Sequence, residues 1–66
     1  MQQYVSLTNS EIAARIAERI HNARDRRVLY LRYIDGLTYE AIAEAVELST
    51  VQVKRIVRRD TEKIRD

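Results

Sequence analysis

Residues 49 to 59, STVQVKRIVRR, carry Lys54, Arg55, Arg58 and Arg59 and no acid. Side chains of these types at this density suit hydrogen bonding to anionic phosphate oxygens. Gln52 and Arg55 add the geometry for paired bonds to adenine and guanine edges, and Val51 suits a thymine methyl group. Residues 38 to 48 are the reverse, with Glu40, Glu44 and Glu47 and no base. The net charge of +2 is too small to argue for a polyanionic partner, so the argument rests on this uneven distribution.

Other chemistries find little support. His21 is the only histidine, and it has no companion ligand or nucleophile at a recognisable spacing, so it reads as a helix-end residue. The carboxylates alternate with arginines as in surface ion pairing, and there is no glycine-rich phosphate loop. Cysteine is absent, which excludes disulfides and thiolate metal sites and fits a reducing compartment. The expectation is a non-enzyme with no metal and no cofactor. No apolar run approaches a membrane span or a signal-peptide core, so a cytoplasmic protein is expected.

The elements that must position the basic run are helices. Proline is absent, Gly36 is the only glycine, and the 66 residues allow one small all-α domain with four helices. Residues 1 to 6 carry no periodic signal. Leu7, Thr8 and Glu11 form a staple and capping-box pattern that starts helix one at Asn9, with Ile12, Ala13, Ile16, Ala17 and Ile20 as its apolar stripe. Helix two is expected from Ala23 to Asp35, ended by Gly36. Its Val28, Leu29, Tyr30, Leu31, Tyr33 and Ile34 cover most of the circumference, as in a central helix packed on two sides.

Helix three is expected over Tyr39 to Ala45, capped by Thr38 with Leu37 stapled to Ile42. Helix four runs from Thr50 to about Ile64, capped by Ser49 with Gln52 completing a capping box and Leu48 stapled to Val53. Val53, Ile56, Val57 and Ile64 form its inward stripe. A helix must therefore stop and restart between about Val46 and Ser49, the pattern of a helix-turn-helix over residues 38 to 59. Tyr30, Tyr33 and Tyr39 sit in or beside apolar faces, which favours core packing with the hydroxyl at an edge.

Within that motif the apolar residues Ile42, Val46, Leu48, Val53 and Ile56 and the small Ala43 match the helix-turn-helix pattern position by position. The longer stretch VLYLRYIDGLTYEAIAEAVELSTVQVKRIVRR resembles region four of bacterial sigma factors over about Arg26 to Thr61, with LRYIDGLTYEAIAEAVELS as its specific part. The resemblance implies binding to double-stranded DNA and a possible contact with RNA polymerase. Nothing corresponds to the other sigma regions, so the expectation is a stand-alone regulator, a small phage or mobile-element protein, or a piece working beside other chains. Family members usually carry glycine where Glu47 stands, so a looser or differently shaped turn is expected here.

A helix-turn-helix lays its second helix in the major groove with the N-terminal residues toward base edges. That assigns Thr50, Val51, Gln52 and Arg55 to base edges and Ser49, Lys54, Arg58 and Arg59 to phosphates. Arg24, Arg26, Arg27 and Arg32 form a second basic group, expected to pair with Glu18 and the helix-three acids more than with a flanking phosphate. Glu40, Glu44 and Glu47 read as a solvated side of helix three, or as a protein-facing one. Homodimerisation through helix one is a further expectation, because small readers often work in pairs. The alternative reading is a protein-interaction adaptor of the same fold that does not read DNA.

Overall fold

The computed structural model of the chain describes residues 8 to 65. Four helices follow one another: α1 (Asn9–Arg19), α2 (Ala23–Tyr33), α3 (Tyr39–Val46) and α4 (Thr50–Ile64). Each N-terminus is capped by the residue before it. Thr8 and Glu11 form a reciprocal capping box, with Thr8 N–H donating to Glu11 Oε1 at 2.9 Å and Glu11 N–H to Thr8 Oγ1 at 3.1 Å. Asn22 accepts from Asp25 N–H, and Thr38 accepts from Ala41 N–H, each at 3.1 Å. Ser49 and Gln52 make the second capping box. The staple expected of Leu7 lies outside the described residues.

Two left-handed residues end α2 and α3. Gly36 adopts φ 71 after α2, where Asp35 N–H bonds the Tyr30 carbonyl and Leu37 N–H the Leu31 carbonyl. The helix therefore ends at Tyr33, two residues before the expected Asp35, because the chain turns as soon as these carbonyls find donors. Glu47 adopts φ 59 and ψ 45 after α3, and Leu48 N–H reaches back to the Ala43 carbonyl at 3.0 Å. The turn is thus a regular left-handed stop and not a loosened one. A non-glycine residue accepts the local steric cost that glycine would avoid.

The core is built from Ile16 and Ile20 of α1 and its cap, Val28 and Leu29 of α2, Ile42 and Ala43 of α3, and Val53, Ile56, Val57 and Ile64 of α4. Helix α2 packs on α1, α3 and α4, which is the central position that its nearly continuous apolar surface calls for. Two residues depart from the expected stripes. Ala17 is exposed, because α1 leans on the bundle along Ile16 and Ile20, and a methyl group adds little when turned outward. Asp60 is fully buried inside the α4 stripe, between Ile56 and Ile64.

Arginines close the helix ends. Arg26 donates to the Ile20 and Ala17 carbonyls at the end of α1. Arg15 and Arg19 donate to the Ile64 and Lys63 carbonyls at 2.9 and 3.3 Å, so α1 satisfies the last turn of α4. Arg32 donates to the Leu37 carbonyl at 3.0 Å and bridges the turn into α3. Expected partners for this basic group were Glu18 and the α3 acids. Backbone carbonyls take Arg26 and Arg32 instead, because helix ends present unpaired acceptors at closer range.

Candidate nucleic-acid interface

Helix α4 is held by its apolar stripe on one side and presents the other to solvent. Val53, Ile56 and Val57 are buried, while Val51, Gln52, Lys54, Arg55, Arg58 and Arg59 are exposed and Thr50 is half-buried. The eight residues proposed from spacing therefore fall on or beside one surface of α4. Val51 is 63% exposed, a large apolar side chain on the solvent-facing side of the helix. A shallow depression lined by Val51, Lys54, Arg55 and Arg58 sets this methyl-bearing surface among three cations.

Local structure limits what some of these groups can do. Gln52 Oε1 already accepts from Ser49 N–H at 3.0 Å and Ser49 Oγ–H at 3.1 Å. While the capping box stands, Gln52 offers its amide N–H groups outward, so it can donate to a base edge but not form the paired bond to adenine. Ser49 Oγ accepts from Gln52 N–H at 3.1 Å, so its hydroxyl too is committed within the turn. Lys54 Nζ lies 5.8 Å from the Tyr39 ring centroid, and the Arg32 guanidinium carbon lies 4.4 Å from the same ring. Tyr39 thus links the end of α2, the start of α3 and α4, and draws two cations to one edge of the surface.

Among the cations of residues 49 to 59, Arg59 is the one held by carboxylates. Its Nε donates to Asp60 Oδ1 at 3.0 Å, and its Nη2 donates to Asp25 Oδ2 at 2.5 Å. Hydrogen bonding to Asp60, more than any other influence, raises its pKa above the ordinary arginine value. Asp25 also receives Arg24 Nε and Nη2 at 3.2 Å each, and Lys63 Nζ stands 3.7 Å from Asp60 Oδ1. Sequence patterning did not single out Asp60. The available signal was its register, three residues after Val57 and four before Ile64, which places a carboxylate on the buried side of the helix.

The rest of the surface is mixed. Arg24 and Arg27 line a groove with Ala45, Val46 and Glu47 beside the turn, and Arg24 lines another with Leu48, Gln52, Arg55, Ile56 and Arg59. Basic groups from the first turns of α2 therefore continue the α4 surface past the turn. Glu40, Glu44 and Glu47 are exposed. Tyr30 and Tyr39 are half-buried against the core, whereas Tyr33 is 36% exposed with its hydroxyl on Thr61. Among the described residues no helix is long and apolar enough to cross a membrane.

A family model for sigma-70, region 4, matches residues 22–66. Comparison with curated proteins finds no match, and neither does comparison with solved structures.

Proposed function

The chain belongs to the sigma-70 region 4 family, a family of DNA-binding, non-enzymatic helix-turn-helix domains, and we propose that it acts as a sequence-specific transcriptional regulator. Helix α4 enters the major groove. Thr50, Val51, Gln52 and Arg55 approach base edges, and Ser49, Lys54 and Arg58 approach phosphates. The observation that carries this reading is the outer surface of α4, where an exposed valine sits among Lys54, Arg55 and Arg58 with no acid from Ser49 to Arg59. Single exposed valines are common on protein surfaces, but in this setting among Lys54, Arg55 and Arg58 the Val51 methyl groups are suited to thymine methyl contacts in a groove.

The capping geometry supports a refined role for Gln52 as a donor, through its amide N–H groups, to an acceptor such as guanine O6 or adenine N7. Ser49 contributes chiefly by holding the start of α4 in place. Arg27 beside the turn is suited to a flanking phosphate, with Glu47 opposing it, while Arg24 is paired with Asp25. Polymerase contact through the acidic residues of α3 is a companion proposal, consistent with the family. Ile16 and Ile20 of α1 are buried within the chain, which leaves little apolar surface there for a dimer.

Salt-dependent binding to duplex DNA tests the reading. Affinity should fall on a log–log plot against salt with a slope of about −0.9 per neutralised phosphate. The Arg55→Ala, Arg58→Ala double variant should lose detectable binding. Selection from a random duplex pool should return a common motif, and wild-type protein that binds no duplex at low ionic strength overturns the proposal in favour of an adaptor.

A further inference from the structure

Arg55 and Arg59 are four residues apart on α4, so the backbone aims both toward the same side of the helix. Their side chains part company. The Arg59 side chain stays 52% exposed but lies along the α2–α4 contact, where its guanidinium spans Asp25 at the start of α2 and Asp60 on its own helix. Asp25 is 5% exposed and Asp60 is fully buried, and Asp60 Oδ2 has no hydrogen-bond partner among the described residues.

Moving Arg59 out to a phosphate would strip both carboxylates of the one cation that touches the two. Asp25 would retain Arg24, and among the described residues Asp60 would retain only Lys63 at 3.7 Å. A buried carboxylate that loses its hydrogen-bonded cation and keeps only a longer ion pair is penalised by more than one screened surface contact returns. We propose that Arg59 is a positioning residue and not a DNA contact: Asp25 and Asp60 withhold its charge from DNA and tie the reading helix to α2. The surface of α4 accordingly presents three working cations, Lys54, Arg55 and Arg58. The withholding half of this inference rests on the DNA-reading proposal, while the tie stands independently of it.

Binding of the full chain to a short random-sequence duplex over a range of salt separates the roles. Arg58→Gln should make the log–log slope shallower by about 0.9, the loss of one phosphate contact. Arg59→Gln should leave the slope unchanged while lowering the melting temperature. Asp25→Asn combined with Asp60→Asn releases Arg59 and should steepen the slope by about 0.9, a gain that adding Arg59→Gln removes. An Arg59→Gln slope change equal to that of Arg58→Gln overturns the proposal.

Wild-type protein supplies a measurement that needs no folded variant. The side-chain Nε–H resonance of Arg59 in solution NMR should be slow to exchange without DNA and unmoved by its addition, while those of Arg55 and Arg58 shift. A DNA-induced shift at Arg59 as large as theirs rejects withholding. If wild-type protein binds no duplex, the DNA reading and the withholding fail together, and the tie is decided by a double-mutant cycle in thermal unfolding between Arg59→Gln and Asp25→Asn. Coupling between the two supports the tie, and additivity rejects it.

Discussion

The Tyr33 hydroxyl lies 2.7 Å from the Thr61 hydroxyl, joining the last residue of α2 to α4 one turn beyond Val57. Together with the Arg59 bridge to Asp25, it fixes α4 against α2 at both ends of that helix. The angle at which the outer surface of α4 is presented therefore depends on polar contacts as well as on the apolar seam. Both hydroxyls are accessible enough to return to water, so this bond is expected to add little. Tyr33→Phe should cost about 0.5–1 kcal/mol, which in a domain of this size lowers the melting temperature by roughly 2–8 °C. Thr61→Val should cost a similar amount, and the double variant no more than the larger of the two. Fully additive losses in thermal unfolding would show that the two groups act separately.

Glu47 offers a stabilising change. Its φ of 59 carries a steric cost of about 1–2 kcal/mol, partly offset in a glycine replacement by the greater freedom of glycine in the unfolded chain. Glu47→Gly should therefore stabilise the protein by about 0.5–1 kcal/mol, and Glu47→Asn by less, because asparagine tolerates the left-handed region only in part. Denaturant titration with an unchanged slope and a raised midpoint is the expected result. A lowered midpoint for the glycine variant would mean that the Glu47 side chain contributes more than its backbone strain costs. Removing this acid beside Arg24 and Arg27 should also tighten DNA binding slightly.

The capping box of α1 supplies a pH dependence. Thr8 N–H donates to the Glu11 carboxylate, and this bond, followed by the Thr8 hydroxyl, lowers the Glu11 pKa below the ordinary glutamate value. A carboxyl whose folded pKa is depressed binds its proton more weakly in the folded state. Its contribution is present above the unfolded pKa and is lost as pH falls through the folded one. Glu11→Gln should therefore narrow the difference in stability between neutral pH and pH values below the glutamate range. Parallel melting curves for wild type and variant across that window check it, and an equal loss in both would assign the acid sensitivity to other groups.

Val51 separates stability from reading. Alanine has the better helix propensity by about 0.5 kcal/mol, and Val51 makes little use of its side chain in the fold, so Val51→Ala should leave melting unchanged or raise it by a few degrees. Binding to selected sites should weaken by about 1 kcal/mol, with the loss confined to a thymine position, while binding to random duplex stays the same. Equal weakening on both duplexes would mean that Val51 does not read a base.

Much of this arrangement was legible in short stretches of residues. Thr8, Thr38 and Ser49 mark three helix starts because a cap acts on amides within three residues of itself. The extent of α4, its Val53, Ile56, Val57 and Ile64 stripe, the left-handed stop at Gly36 and the central place of α2 likewise follow from local pattern and agree with the structure. The basic outer surface of α4 was readable for the same reason, since 3.6-residue periodicity sorts neighbours into inward and outward sets.

What depended on groups distant in the chain was decided only by the tertiary structure. The turn at Glu47 closes in the regular left-handed form because Leu48 is drawn onto the core and its N–H meets the Ala43 carbonyl, which outweighs a local steric cost. Ala17 faces outward because α1 meets the bundle along Ile12, Ile16 and Ile20. Arg59 lies back over Asp60 because Asp25 stands across the helix contact, 34 residues away in the chain, and completes the bridge. Periodicity tells which way a backbone aims a side chain. Only the packed neighbour tells a long arginine whether to stay in solvent or to turn back to a buried carboxylate, because that choice is set by charges the fold brings together.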